Sequence, residues 1–212
     1  MLDVQISGLA PDFVPYLEGW ALQRSIHAGV VDGTRTDTLL LLEHEPVFTA
    51  GKRTEPHERP RDGTPVIDVD RGGKITWHGP GQLVGYPIVR LPEPMDVVGH
   101  VRRMERLLIA VLAGYDIEGR QVDGRSGVWV RGADSDNKIA AIGVRIEKGV
   151  SLHGFALNCA NVLDGFADII PCGITDAGVT TMSEVLGRTV HPSDVVDAVA
   201  RMFRDEFAGV PA

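Results

Sequence analysis

Residues 138–158 read KIAAIGVRIEKGVSLHGFALN and indicate two adjacent strands. Apolar residues dominate residues 138–146, and they dominate again over residues 150–158. The segment Glu147-Lys148-Gly149 between the two runs has the length and composition of a tight turn. The stretch therefore predicts a β-hairpin, and a further strand is predicted just before it, at residues 127–131.

Helices and more strands are predicted on both sides of this hairpin. Residues 96–114 show apolar positions that step by three and four, which is typical of an amphipathic helix. Further helices are predicted at residues 12–29 and 181–186 and from Pro192 onward, and further strands at residues 36–43, 66–70, 74–77 and 83–91. Strict alternation of strands and helices fails, so we expect one mixed α/β (α+β) domain over residues 1–212 rather than a doubly wound parallel sheet.

Composition excludes several classes of protein. Hydrophobic residues make up 43% and charged residues 24% of the 212 residues, as in ordinary globular chains. A net charge of −8 argues against general binding of nucleic acid, which needs clustered lysine and arginine. No aliphatic run, Leu39 to Leu42 included, approaches the ~20 residues that a membrane helix needs. No secretory signal is visible at Met1, so we expect a cytoplasmic protein without membrane contact.

The most distinctive stretch is residues 71–82, which read RGGKITWHGPGQ. Four glycines allow the backbone to come close to a ligand, and Arg71, Lys74 and His78 supply hydrogen-bond donors. The alternative interpretation is a pair of glycine turns around an edge strand. Neither G-x-G-x-x-G nor G-x-x-x-x-G-K-[ST] occurs, so the usual nucleotide-binding motifs are absent.

The two cysteines have different surroundings. Cys172 lies between Pro171 and Gly173, and the backbone N–H of Gly173 would suit an oxyanion that forms beside the sulfur. A buried core cysteine and a nucleophile both fit Cys172 at this point. Cys159 follows a predicted strand, and we expect it to be a small buried apolar residue. Two cysteines without an export signal also predict neither a disulfide nor a zinc site.

Lys138 is the only cation between Asp136 and Val144. It fits either a solvated strand end or a side chain that points into a site. An ammonium group beside a thiol lowers the pKa of the thiol, and a lysine can act as general acid and base for it. His44 and His153 fit buried core positions, and no histidine has the spacing of a metal site, so we expect no metal.

Taken together, these motifs resemble the bacterial lipoyl(octanoyl) transferases, also called the lipoate–protein ligase B family. The matching pieces occur in the family's order and extend roughly over residues 38–187. They are Leu42-Glu43-His44-Glu45-Pro46 with Thr49-Ala50-Gly51, Arg71-Gly72-Gly73 through Gln82, Lys138 through Gly143, His153 through Asn158, and Pro171-Cys172-Gly173-Ile174. Lys74 and Trp77 depart from the family pattern, which often has a neutral residue and a tyrosine there.

The resemblance implies the fold of the biotin and lipoate protein ligases, a mixed sheet flanked by helices. It implies that Cys172 carries a transient acyl thioester and that Lys138 lowers the pKa of that thiol. The substrate pocket would be formed by Arg71, Gly72, Gly73, Lys74, Ile75, Thr76, Trp77, His78, Ala141, Ile142, Gly143, Gly154, Phe155 and Ala156.

The resemblance also implies the reaction and its partners. The donor would be octanoyl-acyl carrier protein. The acceptors would be lysines of the lipoyl domains of 2-oxoacid dehydrogenases and of the glycine cleavage H protein, in the first step of endogenous lipoylation. No cofactor is needed, and we expect a monomer. Residues 52–74 carry a small excess of positive charge, so we expect an acidic carrier protein to dock there.

Two other functions remain open. An ATP-dependent lipoate or biotin ligase would share the fold but would need no nucleophilic cysteine. A non-catalytic regulator that binds carrier protein would keep the pocket and lose Cys172 or Lys138, and both residues are present.

Overall fold

The computed structural model describes residues 1–60, 63–167, 169 and 177–208. In chain order, the elements are β1 (Asp3–Ile6), α1 (Tyr16–Asp32), β2 (Thr38–Leu42), β3 (Val47–Ala50), a 3-10 turn (Pro56–Glu58), β4 (Val66–Asp68), β5 (Thr76–His78), β6 (Gln82–Ile88), α2 (Val97–Ala113), β7 (Arg120–Val122), β8 (Arg125–Arg131), β9 (Asp136–Glu147), β10 (Val150–Asn158), α3 (Asp164–Ala167), β11 (Gly178–Val179), α4 (Met182–Leu186) and α5 (Pro192–Phe207).

Two sheets organise these elements. The main sheet has the strand order β1-β2-β6-β10-β9-β8-β7, and β11 pairs with β9 outside this path. Most of its neighbouring strands are antiparallel, whereas β1 with β2 and β11 with β9 are parallel. A small second sheet has the order β4-β3-β5. The mixed sheets confirm the predicted mixed α/β class and the predicted hairpin of β9 and β10.

Helices cover the main sheet on both faces. Leu39 and Leu41 of β2 lie in a large apolar cluster with residues of α2 and α5. Leu40 and Leu42 lie in a second cluster with Ile26 of α1. Alternate side chains of a strand point to opposite faces, so the unbroken leucine run has a helix to pack against on each side. This arrangement confirms the prediction of a fully buried strand.

Local signals explain where the main helices start. The Asp96 carboxylate accepts a hydrogen bond from the backbone N–H of Gly99 at 2.7 Å and caps α2. Pro192 occupies the first turn of α5, where its missing N–H costs nothing. The helices predicted from residues 96 and 192 therefore form close to the expected boundaries. Within the described residues, no helix is long and apolar enough to cross a membrane.

Candidate active site

A cavity of about 230 Å³ lies against the α1 face of the main sheet. Residues of α1, β6, β9 and β10 form one part of it, and the segment from Arg71 to His78 forms another. Twelve residues that the sequence singled out line this cavity. They are Arg71, Gly73, Lys74, Thr76, His78, Lys138, Ala141, Ile142, Gly143, Gly154, Phe155 and Ala156.

Small residues on adjacent strands form the floor of the cavity. Ala141 of β9 is paired with Ala156 of β10, which is paired in turn with Val84 of β6. In the next row, Gly143 is paired with Gly154. Short side chains leave the space above the sheet open across three strands. The floor is therefore a shallow, mainly apolar trough that runs across the strands.

The loop after β4 covers this trough closely because Gly143 lacks a side chain. A Cβ atom on Gly143 would lie 3.0 Å from the carbonyl oxygen of Gly72. The Arg71 guanidinium holds the loop by donating hydrogen bonds to the carbonyl oxygens of Thr49 and Lys74 at 2.9 and 2.8 Å. Arg71 is almost fully buried. The loop is thus fixed by a buried charge that is satisfied by backbone oxygens.

Lys138 enters the cavity from β9 as a buried amine. Lys138 is only 6% exposed to solvent, and its Nζ lies 4.6 Å from the centroid of the Trp129 ring. Within the described part of the chain, Nζ has no hydrogen bond and no carboxylate partner. A buried lysine next to an aromatic face is held in place by packing and cation–π attraction, and it remains available to a reacting group.

The predicted nucleophile Cys172, with Pro171, Gly173 and Ile174, lies outside the described residues. Cys159 is fully buried in the cluster beneath α2 and α5. Burial raises the pKa of the Cys159 thiol to about 12. Cys159 is therefore an inert core residue, as its position after a strand predicted.

One side of the cavity is formed by Tyr16, His78 and Tyr86, a set called here the aromatic wall. Tyr16 is stacked on His78 with ring centroids 6.2 Å apart, and His44 packs behind both. His44 Nδ1 donates to the carbonyl oxygen of Val14 at 2.8 Å, so His44 Nε2 accepts from the Tyr86 hydroxyl at 2.8 Å. Burial lowers the pKa of His44 to about 4, so this histidine is neutral near pH 7.

A chain of side-chain amides fixes the tautomer of His78. Asn158 Nδ2 donates to the carbonyl oxygen of Thr180 at 3.0 Å, which turns Asn158 Oδ1 toward Gln82. Gln82 Nε2 donates to that oxygen at 2.9 Å, so Gln82 Oε1 faces His78 Nδ1 at 2.7 Å. His78 Nδ1 therefore carries the proton, and Nε2 is an acceptor. Burial, with a smaller effect of His44, lowers the pKa of His78 to about 3 and keeps the ring neutral.

His153 joins β10 to the covering loop. Its Nε2 donates to the Asp70 carboxylate at 2.7 Å, one residue before Arg71. His153 has φ 60°, the left-handed region that costs energy for a residue with a side chain. Its backbone N–H leaves the strand ladder and donates to Gln23 Oε1 at 2.7 Å. The sequence marked His153 only as a core histidine, and its strained backbone has no sequence signal.

Three of the predicted pocket residues do not line the cavity. Ile75 and Trp77 pack with Phe166 in a separate apolar cluster, because side chains alternate along β5 and only Thr76 and His78 face the cavity. Gly72 contributes its backbone, whose N–H donates to the carbonyl oxygen of Val144 at 2.9 Å. The expected effect of Trp77 on pocket shape is therefore indirect.

The sequence missed eight residues of the cavity lining. They are Tyr16, Arg53, Val84, Tyr86, Gly124, Arg125, Ser126 and His153. The strand β6 was predicted, but its residues are apolar and buried on both faces, so the sequence does not show which of them line the cavity. Tyr16 starts a helix distant in sequence, and only the three-dimensional fold brings it to the site. Among the described residues, no cluster of side chains suited to a metal ion occurs.

Comparison with known proteins decides the family. The lipoyl protein ligase A/B catalytic domain matches residues 15–204. An octanoyltransferase of Clavibacter michiganensis is 63% identical over 201 residues, which cover 92% of this chain and 86% of that protein. An octanoyltransferase of Leifsonia xyli is 57% identical and covers 98% of this chain and 93% of that protein. The chain belongs to the octanoyltransferase family. The predicted acyltransferase class is thereby confirmed.

Solved structures confirm the predicted fold. A bipartite lipoate protein ligase of Thermoplasma acidophilum superimposes with a TM-score of 0.71 at 15% identity, covering 98% of this chain and 85% of that chain. A biotin protein ligase of Aquifex aeolicus gives a TM-score of 0.52 at 11% identity, with coverage of 98% and 70%. The octanoyltransferase chain therefore has the fold of the biotin and lipoate ligases.

Proposed function

We propose that the protein transfers an octanoyl or lipoyl group from acyl carrier protein to a lysine of a lipoyl domain, through a thioester on Cys172. The observation that carries this proposal is the buried amine of Lys138 at one side of a cavity with a floor of small residues. The trough from Ala141 to Val84 crosses two strand spacings, roughly 10 Å. That distance suits an extended eight-carbon chain whose carbonyl carbon lies near Lys138.

The chain connectivity allows Cys172 to act with Lys138. Gly178 and Val179 pair with Asn137 and Lys138, so the chain lies beside Lys138 only seven residues after Cys172. A few residues of extended chain span well over 10 Å. The covalent connection therefore lets the sulfur reach the amine, and this supports the pairing that the family resemblance implies.

The proposed chemistry has two balanced steps. The Cys172 thiolate attacks the carbonyl carbon of the donor thioester, a new C–S bond forms, and the bond to the carrier sulfur breaks. The Lys138 ammonium gives its proton to the leaving carrier thiolate and becomes an amine. The neutral amine of the acceptor lysine then attacks the acyl-enzyme, an amide forms, and the Cys172 thiolate is released. Lys138 in its amine form takes the proton that the attacking amine loses. A thioester is a high-energy acyl donor, so neither step requires ATP or a cofactor.

The partners follow from this chemistry. The donor is octanoyl-acyl carrier protein, and the acceptors are lipoyl domains of 2-oxoacid dehydrogenases and the glycine cleavage H protein. Arg53, Lys74 and Arg125 line the cavity as cations, and they support docking of an acidic carrier protein on this side of the molecule. We further propose that one catalytic domain acts as a monomer in the cytoplasm.

A transfer assay tests the proposal. The protein is mixed with octanoyl-carrier protein and a lipoyl domain, with and without ATP, and the lipoyl domain is weighed by mass spectrometry. We expect octanoylation at the same rate in both mixtures. A rate that depends on ATP would favour an acyl-adenylate ligase instead, and no transfer under either condition would favour a non-catalytic regulator.

Cysteine variants provide the matched comparison. We expect Cys172→Ser to lose nearly all transfer, because a serine hydroxyl is a far weaker nucleophile near pH 7. Cys159→Ser is the control for replacing a thiol, since Cys159 is buried beyond the reach of substrate. Equal loss in two folded variants would show that Cys172 is not the nucleophile.

A further inference from the structure

The aromatic wall holds two polar atoms whose hydrogen-bonding capacity is unused. Tyr16 Oη and His78 Nε2 both belong to residues that line the cavity. No described residue forms a hydrogen bond with either atom. The other polar groups of the wall are occupied, since the Tyr86 hydroxyl donates to His44 and His78 Nδ1 donates to Gln82.

The protonation of both atoms is fixed by the surroundings. Burial raises the pKa of Tyr16 to about 12, so its hydroxyl keeps its proton and remains a donor. The amide chain from Thr180 through Asn158 and Gln82 leaves His78 Nε2 as an acceptor. The wall therefore offers one donor and one acceptor, which is the complement of a hydroxyl group.

The position of the aromatic wall relative to Lys138 suggests which part of the substrate the Tyr16 hydroxyl and His78 Nε2 contact. Lys138 lies on β9, and Tyr86 lies on β6, two strands away across the trough of Ala141 and Ala156. The two strand spacings from β9 to β6, roughly 10 Å, are close to the length of an extended eight-carbon chain. We therefore place the end of an octanoyl chain whose carbonyl lies near Lys138 beside the wall, and the next heavy atom of a longer chain toward Tyr16 Oη and His78 Nε2. A buried polar atom without a partner is costly, so a methyl group is a poor occupant of that position.

We propose that the aromatic wall is a hydrogen-bonding subsite for the far end of the acyl chain, which accepts a terminal hydroxyl group in preference to a ninth carbon. This inference rests on the proposed transferase function and names the chain end that the cavity selects. The wall then acts in two ways. It limits methyl-ended chains to about eight carbons, and it admits ω-hydroxyacyl chains that have one more heavy atom.

Two donors of equal length test the subsite. Carrier protein is loaded with an 8-hydroxyoctanoyl or a nonanoyl group, which have the same number of heavy atoms and differ only in the terminal group. We expect kcat/KM for 8-hydroxyoctanoyl to equal or exceed that for nonanoyl. A purely apolar end would favour nonanoyl strongly, because burial of an unpaired hydroxyl is unfavourable. A strong preference for nonanoyl would overturn the proposal.

The Tyr16→Phe variant tests the same subsite by removing only the unused hydroxyl. We expect its ratio of kcat/KM for 8-hydroxyoctanoyl to that for nonanoyl to fall about fivefold, as for the loss of one neutral hydrogen bond. Tyr115→Phe is the matched control, since the Tyr115 hydroxyl bonds Asp194 far from the cavity, and its ratio should not change. An equal loss with both donors would place the Tyr16 hydroxyl at the reacting carbonyl and overturn the subsite.

Transfer from octanoyl-carrier protein, measured alongside the two longer donors, distinguishes an error in the subsite from an error in the proposed transferase function. If octanoyl is transferred normally while the two longer donors show no effect of Tyr16, only the subsite is wrong. If octanoyl-carrier protein itself gives no transfer, the transferase proposal fails first.

Discussion

Lys138 is the residue on which the proposed chemistry most depends. Lys138 is buried, and its Nζ lies over the face of the Trp129 ring, 4.6 Å from the ring centroid. Among the described residues no carboxylate pairs with Lys138, so its ammonium form can interact directly with an anionic sulfur next to it.

Replacing Lys138 should change the reactivity of Cys172 more than the stability of the fold. We expect Lys138→Met to slow alkylation of Cys172 at pH 7, because loss of the ammonium raises the pKa of the thiol. The measurement is the alkylation rate against pH. Cys159 should not contribute, since burial raises the pKa of its thiol to about 12. Lys52→Met, an exposed lysine, serves as control, and an unchanged profile for Lys138→Met would remove Lys138 from this role.

At the scale of elements, the loop from Arg71 to Lys74 is held by side-chain bonds rather than by regular structure. We expect Arg71→Lys to lower the free energy of unfolding by about 3 kcal/mol, because a lysine cannot reproduce the forked bonds to Thr49 and Lys74. Urea unfolding measures the change. Arg59→Lys, whose ion pair with Asp68 is exposed, should cost less than about 1 kcal/mol. Equal costs would show that the buried fork does not hold the loop.

The sequence predicted elements well wherever a long apolar pattern was present. The helix from residue 96, the hairpin of β9 and β10, and the buried β2 all follow from such patterns. It missed β1, β3, β7 and β11, which have two to four residues each, because so few positions show no period. These short strands depend on pairing with neighbours, as β11 does with Asn137 and Lys138.

The cavity could be predicted only in part, for the same physical reason. The sequence motifs identified residues on β5, β9 and β10. A motif taken as a whole does not show which of its side chains point to the same face of the sheet. Alternation separates Thr76 and His78 from Ile75 and Trp77. Tyr16 comes from a helix some sixty residues before His78, so no local pattern connects them.

At the scale of the whole molecule, buried neutral histidines make stability dependent on pH. Burial lowers the pKa of His44, His100 and His153 to about 4, against 6.5 in the unfolded chain. Between about pH 4 and pH 6.5 the unfolded state therefore binds more protons than the folded state. The free energy of unfolding must then fall as the pH falls through this window, by up to about 1.4 kcal/mol per pH unit for each histidine.

His100 gives a test outside the cavity. Its Nε2 is buried, and no described residue forms a hydrogen bond with it, so an apolar residue can replace the ring with little cost at pH 7. We expect His100→Leu to reduce the pH dependence of unfolding between pH 4 and pH 6.5 by about one proton, measured by urea unfolding at several pH values. His57→Leu, at an exposed position, is the control. An unchanged slope for His100→Leu would show that His100 is not neutral in the folded protein.

The central claim, a thioester on Cys172, is tested most directly by intact mass spectrometry of the protein mixed with octanoyl-carrier protein alone. The account predicts a gain of one octanoyl group before any acceptor is present. Neutral hydroxylamine should remove it, peptide mapping should place it on the segment that contains Cys172, and a lipoyl domain should discharge it without ATP. Octanoyl transfer to the lipoyl domain without any such acyl-enzyme, or a hydroxylamine-resistant adduct on Lys138, would contradict the account.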